Sequence, residues 1–133
     1  MDALPGNVVI ENFRPGVMEE LGFGYEDISE SNPNVVYASA SGYGSSGPYE
    51  SRPRQGPLIQ ALSDLRDMTG RHDDPPTAAG TFIADELSAL FIALHIMIAL
   101  YYREQTGEEQ KIEVSLLSSM IAGMCQEVIE RQT

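Results

Sequence analysis

The segment AAGTFIADELSALFIALHIMIALYYRE, residues 78–104, restricts the possible folds more than any other part of the chain. From residue 87 to 102 only Ser88 and His95 interrupt a run of aliphatic and aromatic side chains. A helix needs about 20 apolar residues to cross a bilayer, and this run falls slightly short with a histidine in its middle. It therefore predicts a long helix over about 85–104, buried in a core or an interface and not in a membrane. Two acids, Asp85 and Glu86, stand at its mouth. They pose the first functional question: a helix cap or a place for chemistry.

Around this helix the pattern is that of an α/β domain. Residues 7–11 (NVVIE) and 35–40 (VVYASA) are β-branched apolar runs and predict two buried strands. Between them, 17–21 and 25–31 predict short helices, stopped by Gly22, Gly24 and Asn32-Pro33. Strand, helical crossover and strand make a βαβ unit and hence a parallel, Rossmann-like sheet with flanking helices. Residues 41–57, rich in Gly, Pro, Ser and Arg, predict a loop. Leu58, Ile59, Leu62 and Leu65 predict one helix over 58–68, closed by Gly70. Residues 110–114 predict a third strand. Leu116, Leu117, Met120, Ile121, Met124 and Val128 mark a final amphipathic helix. At 133 residues the chain predicts a single domain, 1–133.

Charge narrows the partners. Twenty acids against eight bases give a net charge of −12, which repels nucleic-acid phosphates and anionic membrane surfaces. The lone Cys125 falls in a helical pattern and predicts a buried free thiol in a reducing compartment. MDALPGNVVIENF has neither the basic nor the apolar region of a signal peptide, so a cytoplasmic protein is expected.

Several motifs invite chemical readings. Gly42-Tyr43-Gly44-Ser45-Ser46-Gly47 has the G-x-G-x-x-G spacing of a dinucleotide-binding turn, but such a turn must open into a helix. Pro48 and Pro53 follow instead, so a loop that lets backbone approach a ligand is the better reading. His72-Asp73-Asp74 are too close together to converge on a metal ion and predict a polar turn; no metal site is expected. His95 is expected to be a satisfied core or interface residue. Arg14, Arg52, Arg54 and Arg71 all fall in predicted loops, where they are either solvated or turned toward an anionic ligand. Asp85 has two readings: a cap accepting first-turn N–H bonds, or an ionised carboxylate able to attack an acyl carbon.

The segments VVIENFRPGVMEELGFGYEDISESNPNVVYASASGYGSSGPY, LIQALSDLRDMTG, DDPPTAAGTFIAD and REQTGEEQKIEVSLL resemble the class III CoA-transferase family. That family includes formyl-CoA and carnitine CoA-transferases and α-methylacyl-CoA racemase. The resemblance runs nearly the whole length of the chain, as an internal piece of a longer pattern, and so implies a partial Rossmann-like domain. It implies Asp85, after Gly80-Thr81-Phe82-Ile83-Ala84, as the nucleophile that forms an aspartyl-CoA thioester. It implies Asn12, Phe13 and Arg14, together with Arg54 and Gln55, as coenzyme A contacts. Coenzyme A enters as a thioester substrate, and no resident cofactor is implied. Gln55 stands where the racemase branch has its histidine, and an amide carries no proton at neutral pH, which disfavours racemisation. Asp64 stands where the family tends to have glycine. Interlocked dimers in the family imply a homodimer or homo-oligomer. Two functional readings follow: an acyl-CoA:carboxylate CoA-transferase, or a truncated, free-standing remnant that oligomerises or binds without transferase activity.

Overall fold

The computed structural model describes residues 8–131 except 51, 53–55 and 72, and of Val128 and Arg131 the backbone only. Three strands form one parallel sheet in the order β1 (Val8–Glu11), β2 (Val36–Ser41), β3 (Gln110–Ser115). The register is continuous, with Val8 opposite Val36 and Ala38 opposite both Ile10 and Ile112. β1 reaches β2 through α1 (Val17–Glu20) and α2 (Tyr25–Ser31). β2 reaches β3 through α3 (Gly56–Leu62), α4 (Leu65–Met68) and α5 (Ile83–Thr106). α6 (Leu116–Gly123) and α7 (Cys125–Arg131) follow.

β2 is central and covered on both faces, which is why Val35, Val36, Tyr37 and Ala38 are apolar and buried in succession without alternating. Val36 and Ala38 point to one face, where Ile112, Val114, Ile92 and Ala99 complete a cluster beneath α5. Val35 and Tyr37 point to the other, against Ile28 of α2. A third cluster joins Ile59 of α3, Ala84 of α5 and Leu116, Met120 and Met124 beyond β3. Ser115 ends β3 and caps α6 at once, its hydroxyl accepting the Ser118 N–H at 3.0 Å.

Four expectations need correction. The helix over 58–68 is broken at Asp64, whose φ of 64° is left-handed; the apolar spacing continues across the break and so conceals it. The final helix likewise divides around Met124, the C-cap of α6. Cys125, just beyond, is exposed and not buried. Asp85 does not cap α5: the N-cap is Phe82, whose side chain makes no cap bond, and Asp85 lies in the first turn with its own N–H donating to Phe82 O at 2.9 Å. Of the two alternatives for His95, core and interface, the core one does not apply: its ring is exposed in the single chain and hydrogen-bonded, with Nδ1 2.7 Å from Phe91 O.

The apolar helix is also less buried than its composition suggests. Ala84, Ser88, Ile92 and Ala99 face inward, while Leu90, Leu94, Met97, Ile98 and Tyr101 are each more than half exposed. By length and composition α5 could cross a bilayer, but its inner face packs on the sheet.

Candidate active site

In a parallel sheet the strands end together, and the segments that follow them share one edge. Here that edge carries the Asn12–Gly16 turn after β1, the Gly42–Gly47 loop after β2, and the start of α6 after β3. Ligands of open parallel sheets bind outside such carboxyl ends. α5 begins at this edge too, because Asp85 and Ser88 share a cleft with Asn12 of the β1 turn and Leu116 of α6.

Asp85 is exposed, and the cleft it lines measures about 150 Å³. Its neighbour Glu86 is tied to the Thr81 hydroxyl, which donates to Oε1 at 2.6 Å. Position in the first helical turn sets the Asp85 carboxylate beside the positive end of the helix dipole. Gly56 at the start of α3 approaches so closely that a Cβ there would lie 3.2 Å from Asp85 Oδ2.

The β1 turn is held by Glu11, which is buried and whose Oε2 accepts the Phe13 N–H at 2.8 Å. This directs Asn12 into the Asp85 cleft and places Phe13 and Arg14 in a neighbouring cleft with Ser41, Gly42, Tyr43, Glu50 and Arg52. The Arg52 guanidinium lies 4.4 Å from the centre of the Tyr49 ring, and Tyr49 packs on Tyr43 at 5.8 Å. Two cationic groups therefore border one small cleft in a strongly acidic chain. Arg54 and Gln55 lie outside the described residues, as does His72; Gly56 is the first described residue after that pair.

The G-x-G-x-x-G segment is a loop, with Gly44 and Gly47 at positive φ and no helix among the described residues between it and Gly56. Ser45 within it donates to Glu113 Oε2 at 2.5 Å, and Lys111 pairs with the same carboxylate at 3.0 Å. The Ser45 hydroxyl is the main influence holding the Glu113 carboxyl below its usual pKa, with Lys111 adding to it against a smaller desolvation. On the same face, burial foremost and then the charges of Glu11, Glu19 and Asp27 push the Tyr37 phenol up to about 12.

A larger groove, about 370 Å³, runs beside β3 and is bordered by Tyr43, His95 and Ser118. It lacks Asp85. We assign the site to the smaller cleft because a reachable carboxylate, the β1 turn and two helix starts converge there.

Sequence reasoning missed two residues. Glu11 reads as the last residue of an apolar strand, and Gln60 is hidden inside the helical run LIQAL. Gln60 is nonetheless buried, at 3% exposure, and hydrogen-bonded at both ends of its amide. Only the polarity of a residue at an inward-facing position could have marked either one.

The chain is similar to known proteins in both sequence and fold. The acetyl-CoA:oxalate CoA-transferase of Acetobacter aceti is 43% identical over 117 residues, covering 87% of this chain and 30% of that protein. The succinyl-CoA–D-citramalate CoA-transferase of Chloroflexus aurantiacus is 37% identical over 118 residues, covering 89% of this chain and 29% of that one. Among solved structures, a CAIB/BAIF family protein from Brucella suis superposes with a TM-score of 0.88 at 32% identity, covering 96% of this chain and 34% of its own. Rv3272 from Mycobacterium tuberculosis gives 0.86 at 28% identity, covering 95% and 36%. The chain thus spans about a third of the length of these relatives. Its residues 5–133 match the profile of CoA-transferase family III, and the chain belongs to that family.

Proposed function

We propose that the chain carries the nucleophile and part of the thioester site of an acyl-CoA:carboxylate CoA-transferase. The observation that carries this reading is the exposed Asp85 carboxylate, in the first turn of α5, lining one cleft with Asn12 of the β1 turn. An Asp85 oxygen attacks the thioester carbonyl; the C–S bond breaks, leaving an aspartyl mixed anhydride and CoA thiolate. The thiolate attacks the Asp85 carbonyl, expels the donor carboxylate and forms an aspartyl-CoA thioester. An acceptor carboxylate attacks that thioester, giving a second anhydride and thiolate again. The thiolate then takes the acceptor's acyl group, and Asp85 is restored with no net proton transfer. Covalent division of the transfer replaces one difficult step by easier ones.

Asn12, Phe13 and Arg14 are assigned to the coenzyme A contacts, with Arg54 and Gln55 completing them from the segment before Gly56. Arg14 and Arg52 offer positive charge to the nucleotide phosphates. Coenzyme A is a substrate in this scheme, and no resident cofactor takes part.

To test the reading, the purified chain is incubated with acetyl-CoA and hydroxylamine, which converts an aspartyl thioester to a hydroxamate. Peptide mass mapping is expected to find the modification at Asp85 and to lose it in Asp85→Asn. An unmodified Asp85 in the wild-type chain, with no CoA-dependent rise in Tm, rejects the transferase reading.

A second reading, an oligomerising or binding module without transferase activity, is favoured by the apolar outer face of α5. Under either reading we propose that a second copy of the chain covers that face. A cytoplasmic setting is proposed as well, supported by the single free cysteine; recovery of the chain in the membrane fraction of lysed cells counts against it.

A further inference from the structure

We propose that Gln60 is the positioning residue for Asp85, acting as a clamp between α3 and the segment that leads into α5. The inference rests on the transferase reading for its catalytic consequence, but the clamp itself is geometric. Gln60 is 3% exposed. Its Oε1 accepts the Ala79 N–H at 3.0 Å and its Nε2 donates to Thr81 O at 3.2 Å. The two partners fix the orientation of the amide: an N–H needs an acceptor and a carbonyl needs a donor, so the flipped rotamer would satisfy neither.

Both bonds grip backbone, and both lie just ahead of the nucleophile. Thr81 then passes the restraint onward, its hydroxyl holding Glu86 at 2.6 Å. On α3, Gly56 and Gln60 are four residues apart and so lie on one face. Gly56 meets the Asp85 carboxylate while Gln60 grips its approach. Ile59 beside them packs in the same cluster as Ala84, the residue before Asp85. One short helix therefore contacts the nucleophile, its neighbour and its lead-in segment.

An amide is suited to this task. A carboxylate would lack the donor for Thr81 O, and an apolar side chain of equal length would leave both the Ala79 N–H and the Thr81 C=O without their side-chain partner. Gln60 touches no reacting atom, so its expected effect is on the orientation of Asp85 and not on the affinity for acyl-CoA.

The test compares wild type, Gln60→Met and Gln60→Glu by two measurements. The first is backbone-amide exchange followed by NMR. In Gln60→Met, exchange is expected to quicken by about tenfold at Ala79 and at Asp85 and Glu86, whose N–H groups donate to Phe82 O, with Ala38 of β2 unchanged. Gln60→Glu keeps the acceptor and is expected to restore most of the protection at Ala79; it also serves if the methionine variant fails to fold. The second measurement is the rate of acetyl-CoA-dependent hydroxamate formation at Asp85. It is expected to fall by about 100-fold in Gln60→Met while the acetyl-CoA concentration that half-saturates the Tm shift stays put. Unchanged exchange at Asp85 and Glu86 overturns the clamp, as does Gln60→Glu exchanging like Gln60→Met. A released Ala79 with an unaltered hydroxamate rate overturns the positioning role. Should wild type form no hydroxamate, the transferase reading falls and the exchange data alone decide the clamp.

Discussion

Glu113 is a residue through which acid loosens the edge of the site, because one carboxylate holds both the Ser45 loop and Lys111. Its pKa is lowered in the folded chain, chiefly by the Ser45 hydroxyl. A carboxyl with a depressed folded pKa adds stability at pH above its unfolded value and loses it as pH falls through the folded value. Its side chain is 39% exposed, so the contribution is that of a solvent-screened pair. We expect Glu113→Gln to lower Tm slightly at neutral pH and to flatten its decline on acidification past the glutamate range. Parallel Tm-against-pH curves for the two proteins would show that Glu113 does not hold the loop. The sequence singled out Asp85 as a candidate through its motif and helical context, yet it gave no sign of this pairing. Ser45 and Glu113 are 68 residues apart, and only the closing of β3 onto β2 brings them together.

Elements were legible where burial on both faces, or a glycine, dictated them. β2 showed itself by the buried run at residues 35–38, and α5 by a long apolar run to Tyr102 with Gly107, whose φ of 77° closes the helix, just beyond. The breaks after Leu62 and at Met124 were not legible, since the apolar spacing on either side stays in phase. Each break depends on backbone at one or two residues, and in the first it is Asp64 that adopts the left-handed conformation. A residue with a Cβ is strained there, although aspartate tolerates it better than most. Glycine has no such strain. Asp64→Gly is therefore expected to stabilise the chain by about 0.5–1 kcal/mol, after the glycine's added unfolded-state entropy is set against relief of the strain. The urea midpoint should rise with an unchanged slope. A lower midpoint would mean that the Asp64 side chain contributes contacts outweighing its backbone strain.

At the scale of the whole molecule, the outer face of α5 and the net charge act against one another. Leu90, Leu94, Met97, Ile98 and Tyr101 form a stripe opposite the sheet-facing side, with no acid between residues 87 and 102. A helix apolar on every side demands a cover, and a stripe of this kind marks an interaction surface. A second copy presents the same uncharged stripe, so two α5 helices can pair about a twofold axis. The remainder of each chain opposes the pairing, because every copy carries −12. Salt resolves the contest: the screening length falls from about 30 Å at 0.01 M to about 8 Å at 0.15 M, weakening repulsion and leaving the apolar contact intact. Self-association measured by sedimentation velocity is therefore expected to strengthen with salt. Leu94→Glu is expected to shift the protein toward monomer at every salt concentration, since it places two carboxylates near the centre of the proposed contact. A wild-type chain that stays monomeric at 0.15 M salt, or a Leu94→Glu variant that associates as well as wild type, would remove α5 as the contact between copies.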